Sequence, residues 1–156
     1  MLMLALLTGV TSQSHATDSS LWIAESEGAI KLLTTTGDVA FEIPVAGGIE
    51  SLAVSPEDQI IWTFAAKILR AYNTDGSLAQ TIDISSVISN GKVRGLAVTS
   101  ERIFLAIRKR LYIFDTSGAL LFETQHDLRV KGISLDSTRN QLWLATLEQV
   151  LVYDKE

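Results

Sequence analysis

Short apolar runs that each carry one large aromatic ring recur along the chain, and polar segments separate them. The rings are Trp22, Trp62, Phe104 and Trp143, and they lie 40, 42 and 39 residues apart. Each run is apolar or alternating over only a few residues, which favours a β-strand. The regular spacing predicts a protein built from a repeating structural unit of about 40 residues.

Two further landmarks recur in a fixed order around the rings. A turn rich in Thr, Asp and Gly follows at residues 35–38, 73–76 and 115–118. Gly tolerates positive φ, and Asp or Asn side chains bond nearby backbone, so each turn reverses the chain between two strands. Runs in which small residues alternate with branched ones lie at 48–54, 92–98 and 130–135, which indicates an innermost strand packed where space is short.

The assembled unit is an inner strand, the aromatic strand, a third strand, the glycine turn and an outer strand. This order predicts an all-β protein, a β-propeller of four-stranded antiparallel blades with about 3.5 blades and 14 strands in this chain. The blades are a partial blade at 21–43, two blades at 49–84 and 93–124, and a partial blade at 130–153. The four rings are expected to fill the space between neighbouring sheets.

Composition narrows the classes of function. Hydrophobic residues make up 47% of the chain and charged residues 20%, as in globular proteins. The net charge of -5, from 13 Lys and Arg against 18 Asp and Glu, argues against a nucleic-acid partner. The chain has no cysteine, so disulfides, thiolate zinc sites and cysteine nucleophiles are excluded.

The first residues have the pattern of a targeting segment. Residues 1–10 are apolar apart from Thr8 and Gly9, and Ser14-His15-Ala16 resembles the small-residue cleavage site of a secretory signal peptide. We expect residues 1–16 to be removed after Ala16, residues 17–156 to form the blades, and the protein to be periplasmic or secreted. The alternative is a buried helix or strand of the fold, and the stretch is too short to span a bilayer.

Residues 48–54, 59–64 and 68–76 resemble the repeats of NHL-type and related propellers of the Tyr-Val-Thr-Asn and gluconolactonase kind. The resemblance covers residues 21–153. Tryptophan-aspartate repeats fit less well, because no Trp-Asp pair closes a third strand. Closed propellers of this kind contain more blades, so the resemblance implies a fragment of a longer propeller or, alternatively, self-association of copies through open blade faces.

The resemblance also implies which loops share a face. One face then receives Glu50, Arg94 and Lys131 at equivalent positions of successive inner strands, together with Lys67, Lys92, Arg108, Lys109, Arg110 and Arg129. The opposite face receives Asp38, Glu57, Asp58, Asp75, Glu101 and Asp136. We therefore predict a binding module, without cofactor, whose basic face binds a protein or an anionic ligand. The alternative is a set of solvated loop charges.

An enzymatic alternative is a metal-dependent lactonase or lyase of the gluconolactonase type, with calcium over the central channel. Only Glu50 resembles a ligand of such a site, and the cations of Arg94 and Lys131 would repel a divalent ion. No catalytic residue is predicted: His126 has no partner identifiable by spacing, and no nucleophile elbow or phosphate loop is present. These observations favour a protein that is not an enzyme.

Overall fold

The computed structural model describes residues 2–3, 21–25, 28–136 and 138–154, and within these ranges all regular structure is β-strand. The strands form four separate antiparallel sheets, each ordered as in the sequence. Antiparallel sheets of neighbouring strands are the blades of an incomplete β-propeller. The predicted fold class is thereby confirmed.

The strand bounds follow the landmarks of the sequence. Sheet 1 consists of β1 (Leu2–Met3), β2 (Leu21–Glu25), β3 (Ala29–Leu33) and β4 (Val39–Pro44). Sheet 2 consists of β5 (Ser51–Val54), β6 (Ile61–Ala65), β7 (Ile68–Tyr72) and β8 (Leu78–Asp83). Sheet 3 consists of β9 (Val93–Val98), β10 (Arg102–Ile107), β11 (Arg110–Asp115) and β12 (Leu120–Gln125). Sheet 4 consists of β13 (Gly132–Asp136), β14 (Gln141–Ala145) and β15 (Val150–Asp154).

The chain divides into two compact units, Met1–Glu50 and Ser51–Glu156, and the first holds sheet 1. Three strands were predicted in this sheet, and the fourth, β1, agrees with the alternative in which the apolar start of the chain contributes a strand of the fold; Leu2 and Met3 pair with Glu25 and Ala24 of β2. Two residues are too few to give an alternation that could be read from the sequence. The rest of the predicted signal peptide, residue 1 and residues 4–16, lies outside the described residues and stays a prediction.

The second unit contains sheets 2, 3 and 4, whose first strands lie side by side. Strand β9 packs along β5 on one side and along β13 on the other. Gly95 of β9 allows a close approach, because a Cβ at this position would lie 2.9 Å from Cγ1 of Ile133 in β13. The small residues that indicated the innermost strands are therefore found where the sheets converge.

The aromatic strands supply the core between these sheets. Trp62 of β6 lies opposite Ala53, Phe104 of β10 opposite Ala97, and Trp143 of β14 opposite Ser134, so each ring stands beside a small residue of the inner strand. Trp62 shares one buried cluster with the β10 side chains Ile103, Leu105 and Ile107. Phe104 shares the next cluster with Leu142 and Leu144 of β14. The rings occupy matching places in successive sheets.

The glycine turns are also repeated in detail. In each turn the first residue donates its N–H to the fifth residue's carbonyl and accepts from the glycine N–H: Thr34 with Asp38 and Gly37, Asn73 with Ser77 and Gly76, and Asp115 with Ala119 and Gly118. All three glycines have positive φ, between 86° and 93°. The third turn packs on sheet 2, where Nε2 of Gln80 donates to the carbonyl of Thr116 at 3.0 Å.

Candidate functional site

Backbone hydrogen bonds gather one set of loops and turns at a single end of the second unit. The turn before β7 accepts from the segment after β8, because the Lys67 carbonyl bonds the Ile84 N–H at 3.0 Å. The turn before β11 joins both neighbouring loops: the Arg108 N–H donates to Lys92 O at 3.1 Å, and Arg108 O accepts from Val130 N–H at 2.8 Å. Segments that precede the inner strands and turns that follow the aromatic strands therefore meet.

This end carries a concentration of cations, which we call the basic end. It comprises the side chains of Lys67, Lys92, Arg94, Arg108, Lys109, Arg129 and Lys131. The opposite ends of the same strands carry the acidic end, which comprises Glu57, Asp58, Asp75, Glu101, Asp115 and Asp136. Cations therefore outnumber carboxylates at the basic end, which also holds Asp83, Asp127 and Glu148, and carboxylates outnumber cations at the acidic end, which also holds Arg102 and Arg139. Asp38 and Glu50 belong to the first unit, where Asp38 lies in the turn before β4 and Glu50 immediately precedes β5.

The turn of Arg108 and Lys109 is the structural centre of the basic end. Arg108 has a positive φ of 54°, and its side chain lies against Gly91, where an added Cβ would be 2.8 Å from the Arg108 Cδ. The Lys109 ammonium donates to the carbonyl of Asp127, and the Lys109 carbonyl accepts from the His126 N–H at 2.7 Å. The Arg108 and Lys109 side chains therefore contact the loops on either side of their turn.

Arg94 and Lys131 occupy equivalent places, one residue before a glycine of the inner strand, but their backbones differ. Gly95 pairs with Ala106 and Val93 with Ile107, so Arg94 is the extra residue of a β-bulge. Its side chain is half-buried, and its Nε is a buried donor without a hydrogen-bond partner. Lys131 is exposed, and its N–H donates to the Ala145 carbonyl at 2.7 Å.

Most cations of the basic end are available for an external partner. Within the described ranges, no ion pair engages the side chains of Lys92, Arg94, Arg108, Arg129 or Lys131. Arg110, which was predicted together with them, forms a salt bridge with Glu123 across β11 and β12. That pairing raises the pKa of Arg110 and leaves its charge compensated. Lys67 lies near Asp83, whose pKa is lowered mainly by hydrogen bonds from Ser85 and to a smaller extent by Lys67.

A pair of rings that spacing did not reveal lies beside the basic end. The hydroxyl of Tyr153 is 3.4 Å from Nδ1 of His126, and the two rings meet edge to face with centroids 6.0 Å apart. Burial lowers the pKa of His126, with the charge of Asp127 acting against it, and burial raises the pKa of Tyr153. The residues are 27 positions apart, His126 in the loop after β12 and Tyr153 in β15, so no sequence signal could have joined them.

In the part of the chain that the structure describes, no three His, Asp or Glu side chains converge closely enough to hold a metal ion. A search of the same residues for helices long and apolar enough to cross a bilayer also finds none.

Sheets, register and repeated turns together define a β-propeller-like protein. No protein-family model and no curated protein matches the chain. Among solved structures, the chain is similar to the crystal structure of Saccharomyces cerevisiae Sqt1, a WD40 β-propeller, with a TM-score of 0.60 and 15% sequence identity. The match covers 86% of this chain and 40% of the Sqt1 chain, so this chain spans less than half of that propeller. A likeness at this identity shows the fold alone.

Proposed function

We propose that the protein is an exported β-propeller module that binds an acidic segment of a partner protein through the basic end. The observation that carries the proposal is the set of largely exposed cations at one end of the second unit, most of which form no ion pair with the residues that the structure describes, on a chain whose net charge is -5. A local cluster of like charge creates a surface potential that the total charge of the protein conceals.

The separation of the two ends decides whether this potential reaches a partner. A six-residue strand such as β9 spans about 20 Å at about 3.3 Å per residue. The Debye length at physiological ionic strength is about 8 Å, so the acidic end is screened from a ligand at the basic end. An approaching acidic segment therefore meets the local positive charge.

Rigid placement of the cations makes the surface specific. The Arg108 turn is fixed by backbone bonds to Lys92 and Val130, and Lys131 is fixed to β14 through Ala145. Charges on ordered backbone lose less conformational freedom when they bind than charges on a mobile tail. We expect a partner segment in extended conformation whose carboxylates match the spacing of Arg94, Arg108 and Lys131.

The test is binding of a fluorescent polyglutamate peptide, with Lys131→Glu as the perturbing variant and Arg139→Glu as its matched control. Arg139 carries the same charge but lies at the acidic end beside Asp136. Exposed charge contacts contribute about 0.2 to 1 kcal/mol each, and reversal replaces attraction by repulsion, so we expect Lys131→Glu to weaken binding about fivefold. Arg139→Glu should leave it within about twofold. Equal losses in both variants would show that only net charge matters and would refute the site.

A competition experiment with inorganic phosphate distinguishes a polymeric acidic partner from a small anion. If the ligand is an acidic protein segment, inorganic phosphate should compete only as ionic strength does, because it engages one or two cations at a time. If phosphate displaces the peptide at concentrations where chloride does not, the ligand is a small anion and the partner we propose is wrong.

Export and repeat type complete the proposal. The apolar run at residues 1–10 and the Ser14-His15-Ala16 sequence support cleavage of a signal peptide, and the lack of a closing Trp-Asp pair supports NHL-type rather than tryptophan-aspartate repeats. Mass spectrometry of the protein recovered from the periplasm or medium should give a chain that begins at Thr17. Recovery of the uncleaved chain in the cytosol alone would refute export.

A further inference from the structure

Arg108 occupies a turn position that a short side chain can fill. The turn between β10 and β11 places Arg108 at a φ of 54°, and the turn between β6 and β7 places Ala66 at a φ of 50° in the equivalent position. Positive φ disfavours every residue that has a Cβ, and Gly or Asn would adopt it at lower cost. Ala66 shows that such a turn forms without a long side chain. The arginine at position 108 is therefore explained by something other than chain reversal.

A glycine of the neighbouring loop leaves room for the Arg108 side chain. A Cβ on Gly91 would lie 2.8 Å from Cγ, Cδ and Nε of Arg108, so the aliphatic stem of Arg108 lies directly against the Gly91 backbone. The Arg108 backbone is held as well, by hydrogen bonds to Lys92 and Val130. The φ of Gly91 lies outside the left-handed region, so its backbone conformation does not require glycine. Gly91 is therefore explained by the space that it leaves for Arg108.

The guanidinium at the end of this stem has no partner within the described part of the chain. Arg108 is exposed, and its side chain forms no hydrogen bond or ion pair with the described residues. The next two cations differ from it, since Lys109 donates to the Asp127 carbonyl and Arg110 pairs with Glu123. Of these three consecutive cations, only Arg108 has a side chain left free by the residues that the structure describes.

We propose that Arg108 selects a carboxylate at the basic end and that Gly91 is a positioning residue, which holds the Arg108 side chain in place. The inference rests on the proposed function, since the carboxylate belongs to the acidic segment of the partner. A guanidinium presents its N–H donors in a planar fork that matches the two oxygens of a carboxylate, whereas an ammonium is a point charge. A stem already placed against backbone loses less conformational freedom when the fork binds. Arg108 thus adds geometric selectivity to the attraction that exposed lysines such as Lys131 supply.

Titration of the fluorescent polyglutamate peptide into two matched pairs of variants tests the inference. Gly91→Ala is compared with Gly132→Ala, because neither glycine has a positive φ and a Cβ at Gly132 would meet nothing within 4 Å. We expect Gly91→Ala to weaken binding about fivefold by displacing Arg108, and Gly132→Ala to leave binding unchanged. Arg108→Lys keeps the charge but loses the fork, so it should also weaken binding about fivefold. Arg139→Lys, the same change at the acidic end, should have no effect.

A double-mutant cycle distinguishes positioning from a general structural role of Gly91. In the Arg108→Ala background the added Cβ of Gly91→Ala has no side-chain stem to displace, so it should cause no further loss of binding. Losses that add in the double variant would overturn the positioning role. Binding that is weakened by Lys131→Glu but is equal in Arg108→Lys and Arg139→Lys would overturn the selection of a carboxylate by Arg108 and leave the proposed function intact. A wild type that does not bind the peptide would overturn both.

Discussion

Replacement of tryptophan by phenylalanine at two equivalent positions, Trp62 and Trp143, tests the packing that organises the second unit. The two rings hold the same place in their sheets, opposite Ala53 and Ser134 of the inner strands. They differ in solvent exposure, since Trp62 is 3% exposed and Trp143 is 36% exposed. The same chemical change is therefore made in a closed and in an open environment.

The expected costs follow from the space that the smaller ring leaves. Trp62→Phe removes about 40 Å² of buried apolar surface, which is about 1 kcal/mol of transfer free energy. It also leaves a closed void of about 40 Å³, and at about 24 cal/mol per Å³ this adds about 1 kcal/mol. We expect a loss of about 2 kcal/mol for Trp62→Phe. The void at Trp143 opens to water, so Trp143→Phe should cost no more than about 0.5 kcal/mol.

Urea unfolding followed by far-ultraviolet circular dichroism measures both losses without relying on tryptophan fluorescence. Similar m-values in both variants, that is, a similar dependence of the unfolding free energy on urea concentration, would show that the unfolding reaction is unchanged. Equal losses of stability at the two positions would refute the packing, since they would mean that both rings stand in the same environment.

Three further outcomes follow from local geometry. Arg94→Lys keeps the charge but removes the buried Nε donor that has no partner, so the free energy of unfolding measured in urea should rise by about 1 kcal/mol. Gly118→Ala should destabilise by about 2 kcal/mol more than Gly37→Ala in the same assay; both glycines have positive φ, but only at Gly118 would a Cβ overlap the side chain of Ile82. Because burial lowers the pKa of His126, the unfolded chain binds the proton more tightly. The free energy of unfolding that neutral His126 contributes should be complete above about pH 6.5 and should decline as the pH falls. In unfolding experiments across this pH range, His126→Gln should remove the part of the decline that comes from this side chain.

Much of the fold could be predicted because the same pattern of apolar, aromatic and glycine positions recurs several times along the chain. A single Ile-Trp-Thr-Phe run is equally compatible with a buried helix or a buried strand. Rings about 40 residues apart, with a glycine turn after each of the first three, are compatible with few architectures. The hydrogen-bond pattern of the turns at Gly37, Gly76 and Gly118 shows the physical reason, since each turn needs a residue that accepts positive φ.

The details that the sequence could not predict depend on register between strands. The salt bridge of Arg110 with Glu123 spans β11 and β12, which contain a register shift between Ile113 and Phe114. The bulge at Arg94 likewise becomes visible only when β9 is paired with β10. A one-residue slip moves a side chain to the other face of a sheet, so spacing alone cannot assign such partners.

The candidate site could be predicted only through the resemblance to propellers. The charges sit at strand ends, and the resemblance implied which loops open onto one face, so a basic face was expected before any contact was known. Which cations are compensated could not be inferred. The side chains of Arg110 and Lys109 have partners within the chain, whereas the Lys131 side chain has none among the described residues. The pairing of His126 with Tyr153 required the packing of sheet 4 on the loop that follows β12.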